Sequence, residues 1–380
     1  MTIRRIPPGI FLLVIVSLLQ IVGLALPAAI HSQARSSPGM PFALDVPRGF
    51  RIVVVSNRVQ GARFVAAAPN GDILVSEISR GQVVAVRPGS PLGTQPLVIA
   101  RGLEKPNGLA FRGNDLYIAT WSGIVVIPDY PRGIGSPRVL FDDMPRNGDH
   151  NARALALASD GSIFISSGSD CNVCTEADPR LATILRYSAD GKANKIHASG
   201  LRNASGLAID GWGRLWAVVN QRDNLTPDHT DLPPDELDLI QEGGNYGWPT
   251  CYPIGSQRLP NPEFGSASCA GILPTTLDFQ AHSAPLQAVF YGGTQFPQRY
   301  RGALLVAFHG SWNRQPPTGY KVVVVTFADG TPTGVEDFVT GWLTGSFRVL
   351  GRPVGLAVAA DGSLYISDDT GYLFRVEYAG

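Results

Sequence analysis

Three things are scarce in these 380 residues: histidine, sulfur and an excess of either charge. Six His, four Cys and three Met leave little material for a metal cluster. The one Cys-x-x-Cys run, CNVC at 171–174, is followed by Thr175 where covalent haem attachment requires His. A structural zinc site needs a second Cys or His pair at short spacing, and there is none beside it. Basic and acidic residues balance at 31 each, which removes the basic footprint of a nucleic-acid-binding protein. Past residue 35 no segment sustains a helical period. Abundant instead are 43 Gly and 30 Pro, the punctuation of many short strands joined by tight turns. The chain reads as all-β.

One long hydrophobic run stands apart. Arg4 and Arg5 precede an apolar stretch at 10–26, followed by small residues and a cleavage-like site at Ser32-Gln33-Ala34. That is the order of an export signal. The stretch also approaches the ~20 residues of a membrane span. Residues 1–34 therefore read as a signal peptide or an N-terminal membrane anchor, and both place the body in the periplasm or outside. The cysteines agree with export. Cys251 and Cys269 bracket a Pro/Gly-rich loop as a loop-closing disulfide, and Cys171 and Cys174 read as a small-ring disulfide.

The body repeats itself. An apolar strand, an Asx/Gly turn and a second strand occur at 64–76, 108–120, 154–167, 206–218 and 355–367, with a degenerate copy at 286–308. The turn spacing is mostly that of a four-stranded propeller blade. The expected fold is a six-bladed β-propeller, with the Pro-rich stretch 221–285 as an insertion. The segment 49–55, GFRIVVV, is expected to pair with the last blade and close the ring, which removes free sheet edges.

In a propeller the first strand of each blade lines the channel, so the residues just before it gather around one mouth. Those heads are Ala62-Arg63, Lys105-Pro106-Asn107, His150 to Arg153, Arg202-Asn203, His282-Ser283 and Arg352-Pro353. His150 and Arg202 hold the same position counted back from their turns, which makes His150 the candidate general base. His309, in HGSWNR, reads first as structural. Arg202, Arg314, Lys321 and Arg352 are expected to converge on the mouth, a set suited to a small polyanionic ligand. Downstream, Asp223, Asp228, Asp231, Asp235, Glu236 and Asp238 make an oxygen-rich stretch of the kind that holds Ca²⁺.

The ordered set HNARALALASDGSIFI, GLRNASGLAIDG, the acidic stretch running into EGGNYGWP, HGSWNR, and GRPVGLAVAADGSLYISDD closed by FRVEY resembles the glucose/sorbosone dehydrogenase family. The resemblance covers about residues 42–380. It implies a six-bladed propeller carrying pyrroloquinoline quinone (PQQ) over the channel, with Ca²⁺ bridging cofactor and protein. Carried over residue by residue, His150 is the base for the sugar hydroxyl. Arg202 stabilises charge on the quinone oxygen, with Asn203 beside it, and Asn107 contacts the cofactor from its own head. Arg352 and either Arg314 or Lys321 hold its carboxylates. Gln221, Arg222 and Asp223 match the segment that offers backbone carbonyls to the metal.

Two departures favour the sorbosone-dehydrogenase-like branch. Pro106 stands where soluble glucose-oxidising members carry Gln, and Arg222-Asp223 where they carry Gly-Pro. The implied partners are a small sugar and, in the absence of a haem motif, an external electron acceptor, a quinone or a cytochrome. Two other classes share the architecture: a Ca²⁺-dependent lactone hydrolase, and a non-catalytic exported propeller that binds a glycan or a protein partner. The lactonase needs a carboxylate and asparagines in the channel, whereas the heads here are cationic.

Overall fold

The computed structural model describes residues 31–33, 39–146, 148–225 and 231–380. The apolar run at 10–26 and Asp228 lie outside them. Six sheets, each built on four antiparallel strands, make the expected propeller. The innermost strands are Ala62–Ala67, Leu109–Arg112, Leu155–Leu157, Ala204–Ile209, Pro285–Phe290 and Pro353–Val358. The ring closes as anticipated: Phe50–Ser56 pairs antiparallel with Tyr372–Tyr378 and becomes the outer strand of the sixth blade. The short strand His31–Gln33 pairs with Asp45–Pro47. Among the described residues no helix is long and apolar enough to cross a membrane.

The Pro-rich stretch is built into the ring. Asp235–Leu239 and Leu277–Phe279 are the third and fourth strands of the fourth blade. The insertion proper lies between them and carries a hairpin, Cys251–Ile254 with Gln257–Pro260. Gly244–Asn245 adds a parallel strand to the edge of the third blade. Both disulfides form, Cys171–Cys174 and Cys251–Cys269.

The recurrent Gly-Leu of the repeat has a steric cause. A Cβ on Gly206 would lie 2.0 Å from the Leu286 carbonyl, and one on Gly355 would lie 2.4 Å from that of Arg63. Only glycine lets neighbouring innermost strands approach this closely where the channel narrows. The recurrent Ser of the second strand staples the blades. Ser76 Oγ accepts the Phe64 N–H at 3.0 Å and donates to the Asn107 carbonyl of the next blade at 2.8 Å. Ser367 does the same between Gly355 and Arg63. Gln287 ties blades across the axis, accepting the N–H groups of Val65 and Leu356, each at 2.9 Å.

Four innermost strands slip register at their first residues, between Ala62 and Val65, Ala204 and Gly206, Pro285 and Ala288, and Pro353 and Leu356. A bulge bends its strand and redirects the adjoining side chains. The bulges here fall at Arg63 or directly after the heads Asn203, Ser283 and Arg352, in blades one, four, five and six. Deeper in the channel the wall is apolar, around a cavity of about 320 Å³ lined by Val65, Leu109, Leu155, Leu207 and Leu356.

The Asx turns are closed by their own carboxylates. Asp210 accepts the N–H groups of Trp212 and Arg214 at 2.9 Å, Arg214 Nε at 2.6 Å and the indole N–H of buried Trp216 at 2.9 Å. Asp210→Ala strands that indole without a partner. It should cost about 1–3 kcal/mol, read as a lower urea midpoint with an unchanged slope.

Candidate active site

The heads of blades three to five enclose a pocket of about 160 Å³. His150 contributes its imidazole from the third blade. Nδ1 lies 2.9 Å from the Ser169 carbonyl and 2.9 Å from Ser169 Oγ, which itself donates to the Cys171 carbonyl at 2.7 Å. A carbonyl only accepts, so the bond assigns the proton to Nδ1 and leaves the lone pair on Nε2. Burial, and after it the charge of Arg202, push the imidazole down to about 4, so it is neutral at physiological pH. Gly168 makes room: a Cβ there would lie 2.5 Å from His150 Cβ and 3.1 Å from Asn203 Oδ1.

Arg202 is 4 % exposed and spends its fork on oxygens of two loops. Nε donates to the Asn172 carbonyl at 3.1 Å, one terminal nitrogen to the Gln221 carbonyl at 2.8 Å and the other to Asn172 Oδ1 at 3.0 Å. Its nearest carboxylate is Asp223, at 3.7 Å. Asp223 also receives Asn313 Nδ2 at 3.4 Å and lies 3.7 Å from His282 Nδ1. Beneath the pocket Asp235 accepts the N–H groups of Gln221 and Ala284, each at 2.9 Å. Burial pushes that carboxyl up to about 7 against those bonds and Arg202. At the rim Trp312 is 73 % exposed, an aromatic face offered to a ligand.

A second polar group forms at the same mouth where blades five, six and one meet. Arg352 donates to the Gly310 carbonyl at 3.0 Å and lies over the Tyr320 ring, 4.8 Å from its centre. His309 Nε2 stands 3.0 Å from Asp369. Burial lowers the pKa of His309, with Asp369 opposing and the charges of Arg63 and Arg352 lowering it further. The Arg63 guanidinium is likewise lowered by burial, and Asp369 opposes it. Asp369 thus faces both the His309 imidazole and the Arg63 guanidinium.

Of the residues expected at the mouth, His150, Arg202, Asn203, Gln221 and Asp223 border one pocket. Arg352 belongs to the second group. Asn107 is buried at the head of the second blade, where Nδ2 donates to the Arg153 carbonyl at 3.0 Å, and Oδ1 has no hydrogen-bond partner among the described residues. Three cations go elsewhere. Arg314 pairs with Asp231 at 3.0 Å. Lys321 turns to Asp337 on the outermost strand of its blade, at 2.6 Å. The terminal nitrogens of Arg222 are engaged by Asn261 and both oxygens of Glu263, while its Nε donates to the Asp223 carbonyl at 3.3 Å.

The acidic stretch is not one cation loop. Asp235, Glu236 and Asp238 are buried in a strand, where Arg258 of the insertion hairpin pairs with Glu236 at 2.6 Å and Asp235 accepts main-chain N–H groups. Arg63 and His282 stand among the blade heads in the sequence with nothing there to set them apart, and no repeat marks Asn172.

The family model described as TrAA12-like matches residues 44–379. A pyrroloquinoline quinone-dependent pyranose dehydrogenase of Coprinopsis cinerea is 26% identical over 405 residues. The match covers 88% of this chain and 55% of that relative, so the chain spans about half its length. An uncharacterized protein of Borreliella burgdorferi is 28% identical over 356 residues, covering 88% of this chain and 91% of the relative. Among solved structures, the holo form of the PQQ domain of the Coprinopsis cinerea pyranose dehydrogenase superposes with a TM-score of 0.76 at 23% identity. That match covers 90% of this chain and 99% of that domain. The order of the blades, the polar mouth and the span of the match agree: the chain belongs to the TrAA12-like family.

Proposed function

We propose that the chain is a PQQ-dependent sugar dehydrogenase that oxidises a CH–OH group of a pyranose or of a sorbosone-type sugar aldehyde. The observation that carries this reading is a neutral imidazole, its proton held on Nδ1 by Ser169, bordering a pocket beside the buried Arg202 guanidinium. A base with an available lone pair next to fixed positive charge is what removal of a hydroxyl proton with transfer of negative charge to an acceptor requires. When bound, PQQ supplies a two-electron sink that takes the carbon-bound hydrogen as hydride while the hydroxyl proton leaves to a base.

The residues present fit a tricarboxylate quinone. Arg63, Arg202, Arg352 and the imidazoles of His282 and His309 surround the mouth, with Asp223, Asp235 and Asp369 among them. Trp312 offers a flat face at the rim, and Asn107 Oδ1 is a buried acceptor open to a donor. In this reading Arg202 neutralises charge near the reacting centre, Asn203 and Asn107 orient the ligand, and Arg352 with Arg63 hold carboxylates. Arg314 and Lys321 take this part only by leaving Asp231 and Asp337.

The oxygens at hand for Ca²⁺ are the Asp223 carboxylate and the main-chain carbonyls of Gln221, Arg222 and Asp223. The Gln221 carbonyl already accepts Arg202 and keeps one lone pair, whereas that of Asp223 accepts both Asn172 Nδ2 and Arg222 Nε and serves a cation only by giving one of them up. The two disulfides suit an oxidising compartment, so an exported enzyme passing electrons to an external quinone or cytochrome completes the proposal.

The test is a titration of the purified protein with PQQ in the presence and absence of Ca²⁺, followed by a dye acceptor and a panel of pyranoses and sugar aldehydes. Saturable binding and sugar-dependent dye reduction are expected. A protein that leaves the quinone spectrum untouched and reduces no dye across the panel is not this enzyme.

A further inference from the structure

The CNVC loop is the unexplained element beside the pocket. Its disulfide closes a ring around Asn172 and Val173, and Asn172 bridges two residues of the site, Arg202 and Asp223. Its carbonyl accepts Arg202 Nε at 3.1 Å and the indole N–H of buried Trp248 at 3.3 Å. Its Oδ1 accepts a terminal nitrogen of Arg202 at 3.0 Å and the Asp223 N–H at 2.8 Å, while Nδ2 donates to the Asp223 carbonyl at 2.9 Å. One side chain therefore reads both peptide groups of Asp223 and one edge of Arg202. The Cys171 carbonyl, in the same ring, receives Ser169 Oγ, the hydroxyl beside His150 Nδ1.

These contacts link groups from separate parts of the chain. Asp223 and Arg202 belong to the fourth blade, His150 and the ring to the third. Without the ring, Asn172 would sit in an open loop and lose conformational freedom each time it met both partners. A covalent ring removes much of that freedom beforehand. Trp248 supports the ring from the insertion, which gives the GGNYGWP turn a part in the same assembly.

We propose that Asn172 is the positioning residue of this site, setting Arg202 against the Asp223 loop, and that the Cys171–Cys174 disulfide holds it in place. The competence of the pocket then depends on that one disulfide. The inference rests on the dehydrogenase reading for its consequence in turnover, but the placement of Arg202 beside His150 is testable in the quinone-free protein. Cys171 and Cys174 are both half-buried, whereas in the second pair Cys269 is half-buried and Cys251 fully buried, so a dithiol meets two open sulfurs at the first pair and one at the second. Such a dithiol delivers two electrons and two protons to the S–S bond, giving two thiols, and is itself oxidised to a cyclic disulfide.

The experiment compares wild type, N172A, N172D and C171S/C174S for thermal midpoint, PQQ affinity, kcat and KM. It also follows the His150 imidazole titration by NMR without quinone. His150 is faced by Arg202, Asp149 and Asp223. N172A should lower kcat about 10- to 100-fold, the usual consequence of a small misplacement, with KM for the sugar little changed. Its His150 titration should move upward as the guanidinium loses its fixed place. N172D keeps the acceptors for Arg202 and the Asp223 N–H and should recover most of the loss.

Dithiol treatment should bring folded wild type to the level of C171S/C174S and no lower, which keeps the test valid where a variant fails to fold. An N172A protein with wild-type kcat and an unmoved His150 titration overturns the proposal, as does a reduced wild type of full activity. Wild type that never binds PQQ defeats the dehydrogenase reading instead, and the imidazole titration still decides whether Asn172 positions Arg202.

Discussion

His150→Ala is expected to lower turnover by about 10²- to 10⁴-fold, the range a positioned general base supplies, while PQQ still binds. Its ring is tied through Nδ1 to Ser169, and the cations near the mouth come from other residues, so removing it leaves the anion-holding groups in place. The pH profile adds an independent signature. The base works only when Nε2 is unprotonated, and its pKa is pushed down to about 4 from 6.5. The acid limb of kcat/KM should therefore fall near pH 4 rather than near 6.5.

Stability carries the same sign. Between about 4 and 6.5 the unfolded chain binds the proton that the native imidazole refuses, so His150 removes stability as pH falls through that window. Above the window it contributes no pH dependence. His150→Ala should flatten that part of the curve in urea unfolding at stepped pH. Unchanged turnover in the variant would remove His150 from the chemistry.

The blade repeat was legible because its causes are local. Gly206 and Gly355 permit close strand approach, Asp210 closes its turn, and Ser76 and Ser367 cross to the next blade, so each recurs at a fixed offset. His150 and Arg202 were legible because they occupy the same offset in two copies. Long-range pairing was not. Nothing in the sequence around Lys321 shows that Asp337 lies across the strand pair, and nothing around Arg222 announces Glu263 forty residues on. The acidic stretch misled for a related reason. Alternation within DELDL is a strand period, and Arg258, reaching in from the insertion hairpin, pairs with Glu236 among acids that composition alone assigns to solvent or metal. Asn172 was invisible because its importance comes from a disulfide ring and two distant loops rather than from any repeat.

Arg202→Ala should be the most damaging substitution to stability as well as to quinone binding. The guanidinium is the donor for the carbonyls of Asn172 and Gln221 and for Asn172 Oδ1, and it is the nearest cation to Asp223. Its removal leaves buried acceptors and a partly buried carboxylate without their partner, a change that costs about 3–5 kcal/mol at buried pairs. The 3.7 Å separation and the 22 % exposure of the Asp223 side chain place this pair toward the lower end. The loss of fixed positive charge near the reacting centre adds about 10²–10³ in kcat. Arg202→Lys separates the two effects. It keeps a charge, but a single ammonium cannot span the Asn172 and Gln221 oxygens as a planar fork does. The lysine variant should recover part of the PQQ affinity and little of the stability, measured by quinone titration beside urea unfolding. A folded Arg202→Ala protein that binds PQQ as tightly as wild type would show that the anion is held elsewhere, with Arg63, Arg352 and His309 carrying the site.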